Sequence, residues 1–271
     1  MKKVLITLLL GAVIGLLVAC GGSGEKTDEK LIRFGATAGP YSDMLTKAII
    51  PGLEEKGYTV KVTEFSDYVQ PNKSLDSGAI DANLFQHTIY LQNFAQENKM
   101  ELSDLIIVPT APLGIYSNKY ESLEDIEEGS TITIPNDPVN AARTLKTLQE
   151  LGLIEIDGSI DPIKASEKDV TVNHKNLVFQ PIEAGQLPRS LDAADLAAVP
   201  GNFAIAASMD LLSALALEDM PDDFRNIVAV KTENKDKQFA KDIIEVVQSA
   251  EFEKVIDEQF EGFGKPEWMK K

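Results

Sequence analysis

The sequence predicts an α/β fold in two lobes, with mostly parallel sheets. Short apolar runs that read as strands alternate with segments of helical period along most of the chain. The alternation falls into two groups, and a return strand followed by a long helix comes after the second. Repeated strand–helix units of this kind favour parallel strands with helices packed on the sheet faces.

The first strand is the apolar run 31–36, ended by a turn rich in Gly, Pro and Ser. Over 41–55, Leu45, Ile49 and Leu53 recur at an interval of four, with Pro51 as a kink and Gly57 as the stop. Tyr58, Val60 and Val62 then alternate with Thr59, Lys61 and Thr63, the period of a half-buried strand. The alternation continues with a helix over 72–77, a strand over 82–85, a helix over 89–99 and a strand over 105–108.

A second group opens near Leu123. Its first strand covers 131–134, and Asn136-Asp137-Pro138 starts a helix with Asp137 as N-cap and Pro138 at the first helical position. That helix runs to Leu151 and stops at Gly152. A strand over 177–182, a helix over 187–193 and a strand over 196–199 follow. The return strand is 227–230, and Phe239, Ile243, Val246, Val247 and Ala250 form one apolar stripe that continues through Val255 and Ile256 as a single last helix. These groups place one lobe at 31–116 plus 205–271 and the smaller one at 117–204. No tandem repeat is visible.

The N-terminus bounds the compartment. Lys2 and Lys3 precede an apolar run over 4–19 interrupted only by Thr7, Gly11 and Gly15. That is the layout of a secretory signal, and it is short for a span, which needs about 20 apolar residues. Leu17-Val18-Ala19-Cys20 resembles the bacterial lipobox, which implies a signal peptide over 1–19 and lipidation of Cys20. A lone cysteine cannot form an internal disulfide, and lipidation accounts for it. Residues 20–30, small and charged beyond Cys20, read as a tether.

The formal charge is −17, and −19 once Lys2 and Lys3 leave with the signal. Such a balance argues against nucleic acid as a partner and against membrane binding through a basic patch, so the lipid is the only membrane contact expected. The two histidines, His87 and His174, are far apart in sequence and no His-rich loop exists, so no metal site and no cofactor is expected. No Gly-x-Ser-x-Gly elbow, phosphate-cradling loop or nucleophile–base grouping is present, so an enzyme is not expected either.

Five segments are specific. They are Phe65-Ser66-Asp67-Tyr68-Val69-Gln70-Pro71-Asn72, Asp81-Ala82-Asn83-Leu84-Phe85-Gln86-His87-Thr88-Ile89-Tyr90-Leu91, Ile134-Pro135-Asn136-Asp137-Pro138-Val139-Asn140-Ala141-Ala142-Arg143, Gln186-Leu187-Pro188-Arg189-Ser190-Leu191 and Gly201-Asn202-Phe203-Ala204. In this order they resemble the NlpA-type lipoproteins, methionine-binding components of ABC importers, from about Ile32 to the last helix. The resemblance implies a two-lobed, periplasmic-binding-protein-like (type II) fold with a ligand cleft between the lobes. It implies a monomer, lipid-anchored on the extracytoplasmic face of the cell membrane, that passes L-methionine or a related small amino acid to an ABC permease and ATPase.

By the same resemblance Arg143 grips the ligand carboxylate, Asn140 and Asn202 hold its backbone groups, and Tyr68, Phe85, His87 and Tyr90 enclose the thioether. The chemistry is compatible. A guanidinium can take a carboxylate through two parallel hydrogen bonds. A neutral amide offers an oxygen to an ammonium without adding a charge that must be desolvated. A thioether gains about 0.3–1.5 kcal/mol beside an aromatic ring. Taken singly, Arg143 reads rather as a surface residue on an amphipathic helix, Phe85 as core and His87 as a structural hydrogen-bonder, while Tyr68 reads equally as a turn cap and Asn202 as part of a turn. The ordered set turns them toward binding.

Three positions depart from the family pattern. Leu84 stands where a second aromatic is common, Ile89 replaces a frequent proline, and Pro200 precedes Gly201-Asn202 where an Asn is often seen. The last touches the cleft edge or hinge and leaves the exact ligand open between methionine, a methionine-containing dipeptide and another apolar amino acid. A lipoprotein adhesin would need none of the Arg143, Asn140 and Asn202 set.

Overall fold

Two five-stranded sheets carry the chain, one in each lobe. The computed structural model describes residues 30–270; the expected signal over 1–19, the lipidated Cys20 and the tether up to residue 29 lie outside the described residues. The first sheet has the order β2-β1-β3-β12-β4, formed by β1 (Leu31–Thr37), β2 (Thr59–Phe65), β3 (Ala82–His87), β4 (Leu102–Ile107) and β12 (Asn226–Lys231). Only β12 runs antiparallel to its neighbours. The second sheet repeats the plan in the order β11-β5-β10-β6-β9, from β5 (Gly114–Tyr116), β6 (Thr131–Pro135), β9 (Val178–Ile182), β10 (Leu196–Val199) and β11 (Ala216–Leu217). Here β5 is the antiparallel strand.

The predicted two-lobed α/β plan is therefore present, with one difference in detail. Strands β5 and β11 belong to the second sheet yet fall outside 117–204. With three and two residues, they are too short for alternation to be read. The chain crosses between the sheets twice, from β4 to β5 and from β11 back to β12.

Helices cover both faces of each sheet. In the first lobe one face packs Phe34, Ala36 and Val228 against Leu45, Ile49, Leu53, Ile243 and Phe252. Leu45 and Ile49 come from a π-helical turn, Leu45–Ile49, that joins α1 (Pro40–Met44) to α2 (Ile50–Glu55), Leu53 comes from α2, and Ile243 and Phe252 come from α8 (Gln238–Val247) and α9 (Ala250–Gln259). Pro51 stands just beyond that turn. It has no N–H to give, and widening the preceding turn moves the ladder past it, so the helix continues where a kink was expected. The opposite face packs Leu75 of α3 (Gln70–Asp76) and Leu91 of α4 (Thr88–Asn98) on Ile227 and Ala229.

In the second lobe Leu145 and Leu148 of α5 (Pro138–Glu150) cover one face, and Leu187 of α6 (Leu187–Ser190) with Phe203 of α7 (Gly201–Ala206) the other. A small hairpin, β7 (Ile154–Ile156) with β8 (Val170–Asn173), completes it. The single last helix read from the apolar stripe is two helices. Ser249 breaks it, its hydroxyl accepting from the Phe252 N–H at 3.1 Å as the N-cap of α9. Helix α6 likewise stops at Ser190, whose hydroxyl turns back to the Leu187 carbonyl at 2.7 Å.

Candidate ligand-binding site

The cleft lies between the lobes, over the C-terminal ends of β3, β6 and β10. In this closed arrangement its free space is about 20 Å³, room for a water-sized group only, so a larger ligand enters with the lobes apart. Tyr68, Phe85, His87, Tyr90, Asn140, Arg143 and Asn202 all line it. Pro200, expected at the cleft edge or hinge, lines it; Tyr41, Gln86, Thr110, Gly201 and Asn226 line it too, and carried no signal in the sequence beyond their place in these segments or at element ends.

The first lobe supplies the aromatic wall. Strand β3 pairs Val228 with Leu84 and Ile227 with Gln86, so Phe85 is the extra residue of a β-bulge. Strict alternation would separate Asn83 from Gln86; the bulge puts them on one side, where Gln86 Nε2 donates to Asn83 Oδ1 at 3.1 Å. Asn72 of α3 completes the group. Its Nδ2 donates to Gln86 Oε1 at 2.6 Å, and its Oδ1 accepts from Asn83 and Gln86 at 3.0 and 2.7 Å. This buried amide cluster fixes the end of β3 that carries Phe85 and His87. Phe85 and Tyr90 pack edge to face at 6.1 Å, and Tyr68 lies 5.9 Å from each.

His87 has two tasks. Its Nδ1 accepts from the Tyr90 N–H at 3.2 Å, capping α4. The proton therefore sits on Nε2, which faces Asn140 Oδ1 across the cleft at 3.4 Å. Burial pushes its pKa down to about 3, and the nearby Arg143 charge acts in the same direction, so the imidazole is neutral. Leu84 points the other way into the core, and Ile89 packs beside Phe85 and Tyr90. Both departures from the family pattern leave the aromatic wall intact.

The second lobe supplies the polar wall. Asp137 caps α5 as expected, accepting from the Asn140 N–H at 2.9 Å with Pro138 next in line. Its carboxylate also takes the Asn140 amide N–H₂ at 3.2 Å. Asn140 is thereby oriented with Oδ1 toward the cleft, between His87 and Arg143 Nη1 at 3.5 Å.

Arg143 is buried, which alone would lower its pKa, yet Glu218 outweighs burial and raises it. Glu218 Oε2 accepts from Nε at 2.7 Å and Oε1 from Nη2. Phe224 lies 5.2 Å under the guanidinium. The side-on fork expected to hold a carboxylate is thus already taken by Glu218, and Nη1 is the nitrogen turned to Asn140. No pattern in the sequence marked Glu218, because the pairing spans 75 residues.

Asn202, on the first turn of α7, accepts from the Tyr68 hydroxyl at 2.7 Å, and its buried Nδ2 has no acceptor among the described residues. A buried donor of this kind fits a ligand oxygen. Pro200 is the N-cap residue of α7. Tyr68 to Asn202, His87 to Asn140, and Tyr68 to Phe203 at 5.0 Å between rings hold the lobes closed on one another.

Comparison with known proteins agrees with this architecture. The chain is 33% identical over 270 residues to the methionine-binding lipoprotein MetQ of Bacillus subtilis, covering 97% of each. It is 33% identical over 262 residues to the D-methionine-binding lipoprotein MetQ of Salmonella typhi, covering 96% of each. A solved structure of a nutrient binding protein from Burkholderia cenocepacia bound to methionine is 36% identical, with a TM-score of 0.81 over 85% of this chain and 97% of that one. The two-lobed binding-protein fold is common to both. The model of the NlpA lipoprotein family matches residues 32–268, and the chain belongs to that family.

Proposed function

We infer that this protein is an extracytoplasmic substrate-binding lipoprotein that captures methionine and hands it to an ABC permease and its ATPase. The observation that carries this reading is the convergence, in one cleft, of an aromatic wall from one lobe and a polar wall from the other. The ligand carboxylate meets Arg143 Nη1 and Asn202 Nδ2. Its ammonium meets Asn140 Oδ1, and the thioether lies among Tyr68, Phe85 and Tyr90. The relatives named for methionine, and the neighbour bound to it, support the same choice.

Anchoring is through lipid on Cys20. Among the described residues no helix is long and apolar enough to cross a membrane. Ligand binding stabilises the closed arrangement, and a permease that recognises the closed face receives only loaded protein.

Titration calorimetry on the full chain in detergent, stripped of carried-over ligand, tests the reading. L-Methionine, D-methionine, leucine and glycyl-methionine are compared. One-to-one binding of methionine that Arg143→Ala weakens at least a hundredfold is expected. Binding of the dipeptide alone would move the ligand, and no binding by a folded protein would sink the amino-acid reading.

A further inference from the structure

Glu218 sits immediately after β11, where the chain begins its second crossing between lobes, and its side chain is only 3% exposed. Besides holding Arg143 through both oxygens, it accepts the Leu113 N–H on Oε1 at 2.7 Å. Leu113 belongs to the first crossing, and its carbonyl in turn accepts the Glu218 N–H at 2.9 Å. One residue therefore ties α5 to both interlobe connections.

We propose that Glu218 is a positioning and charge-setting residue: it fixes Arg143 against the two crossings and makes the cleft select ligands of zero net charge. The proposal rests on the amino-acid-binding reading above. A buried guanidinium alone would leave the cleft positive, and in a poorly screened site it would favour any anion. Paired with Glu218 it contributes no net charge. His87 is neutral, and Asp137, the other carboxylate nearby, spends its oxygens on Asn140 at the positive end of α5. A zwitterion entering this site adds no charge. An isosteric 2-hydroxy acid adds a negative one and an amino amide a positive one, and each leaves a buried charge uncompensated.

Calorimetry on the full chain in detergent, wild type and Glu218→Gln, uses L-methionine, its 2-hydroxy acid analogue and L-methioninamide. Glu218→Gln is expected to weaken methionine binding at least tenfold. The hydroxy acid's affinity relative to methionine should rise at least tenfold, and that of the amide should fall. Equal weakening of all three ligands, as a merely structural role would give, overturns the proposal, as does an unchanged profile. Should Glu218→Gln not fold, the wild-type profile decides: the hydroxy acid and the amide should each bind at least a hundredfold more weakly than methionine, and affinity within tenfold of methionine for either overturns the idea. A folded wild-type protein that binds none of the three overturns the functional reading, and this proposal with it.

Discussion

The Tyr68 hydroxyl and the Asn202 amide oxygen stand 2.7 Å apart across the cleft, one on each lobe. Opening the lobes would expose both to water, so the bond belongs to the closed arrangement alone. It leaves Asn202 Nδ2 as the free end of the amide, and so couples closure to the orientation of a ligand-facing donor.

Tyr68→Phe removes the hydroxyl and keeps the ring beside Phe85, Tyr90 and Phe203. A net hydrogen bond and an unpaired buried oxygen together cost about 1–2 kcal/mol, which is roughly a five- to thirtyfold loss of methionine affinity. Thermal stability of the unliganded protein should hardly change. Calorimetry checks the first and a melting curve the second. An unaltered affinity would mean that the bond contributes nothing to closure.

His87 gives a pH dependence of defined sign. In the unfolded chain a histidine takes up its proton near pH 6.5, whereas the folded protein holds His87 neutral down to about pH 3. Between those values the unfolded state binds the extra proton, so falling pH costs stability and rising pH restores it. The expected loss from pH 7 to pH 5 is about 2 kcal/mol from this group alone. Urea unfolding of wild type and His87→Gln at both pH values isolates it, since other groups contribute equally to the two proteins. Parallel slopes for the two proteins would remove His87 as the cause.

Much of the fold was legible because its strands and helices bury apolar faces at regular periods, as Leu45, Ile49 and Leu53 do. What periodicity could not reach was local chemistry that overrides it. The bulge at Phe85 reverses the facing of Gln86, Ser249 cuts one apolar stripe into two helices, and β5 and β11 are too short to show a period. The site divides the same way. Its seven proposed contacts stand in recognisable segments and share one cleft. Glu218, by contrast, meets Arg143 only through the long return of the chain, and Tyr41 reaches the cleft from the first turn of a helix whose period showed only its core residues Leu45, Ile49 and Leu53. Pairing at a distance leaves no mark on neighbouring residues.

Gly201 supplies a test of how the second lobe seats against the first crossing. A side-chain carbon there would stand 2.5 Å from the Pro112 carbonyl oxygen and 2.6 Å from Ala111 Cβ. The nearest of these atoms is backbone, so no rotamer change can relieve the contact. Relief requires that the crossing or the first turn of α7 move, and that turn carries Asn202. Gly201→Ala should therefore cost about 1–3 kcal/mol of stability, as overpacking does, and should weaken methionine binding more than tenfold by displacing Nδ2. A melting curve and a methionine titration measure the two effects. Wild-type values in both would show that this close approach does not position Asn202. Lost stability with wild-type affinity would assign Gly201 to packing alone.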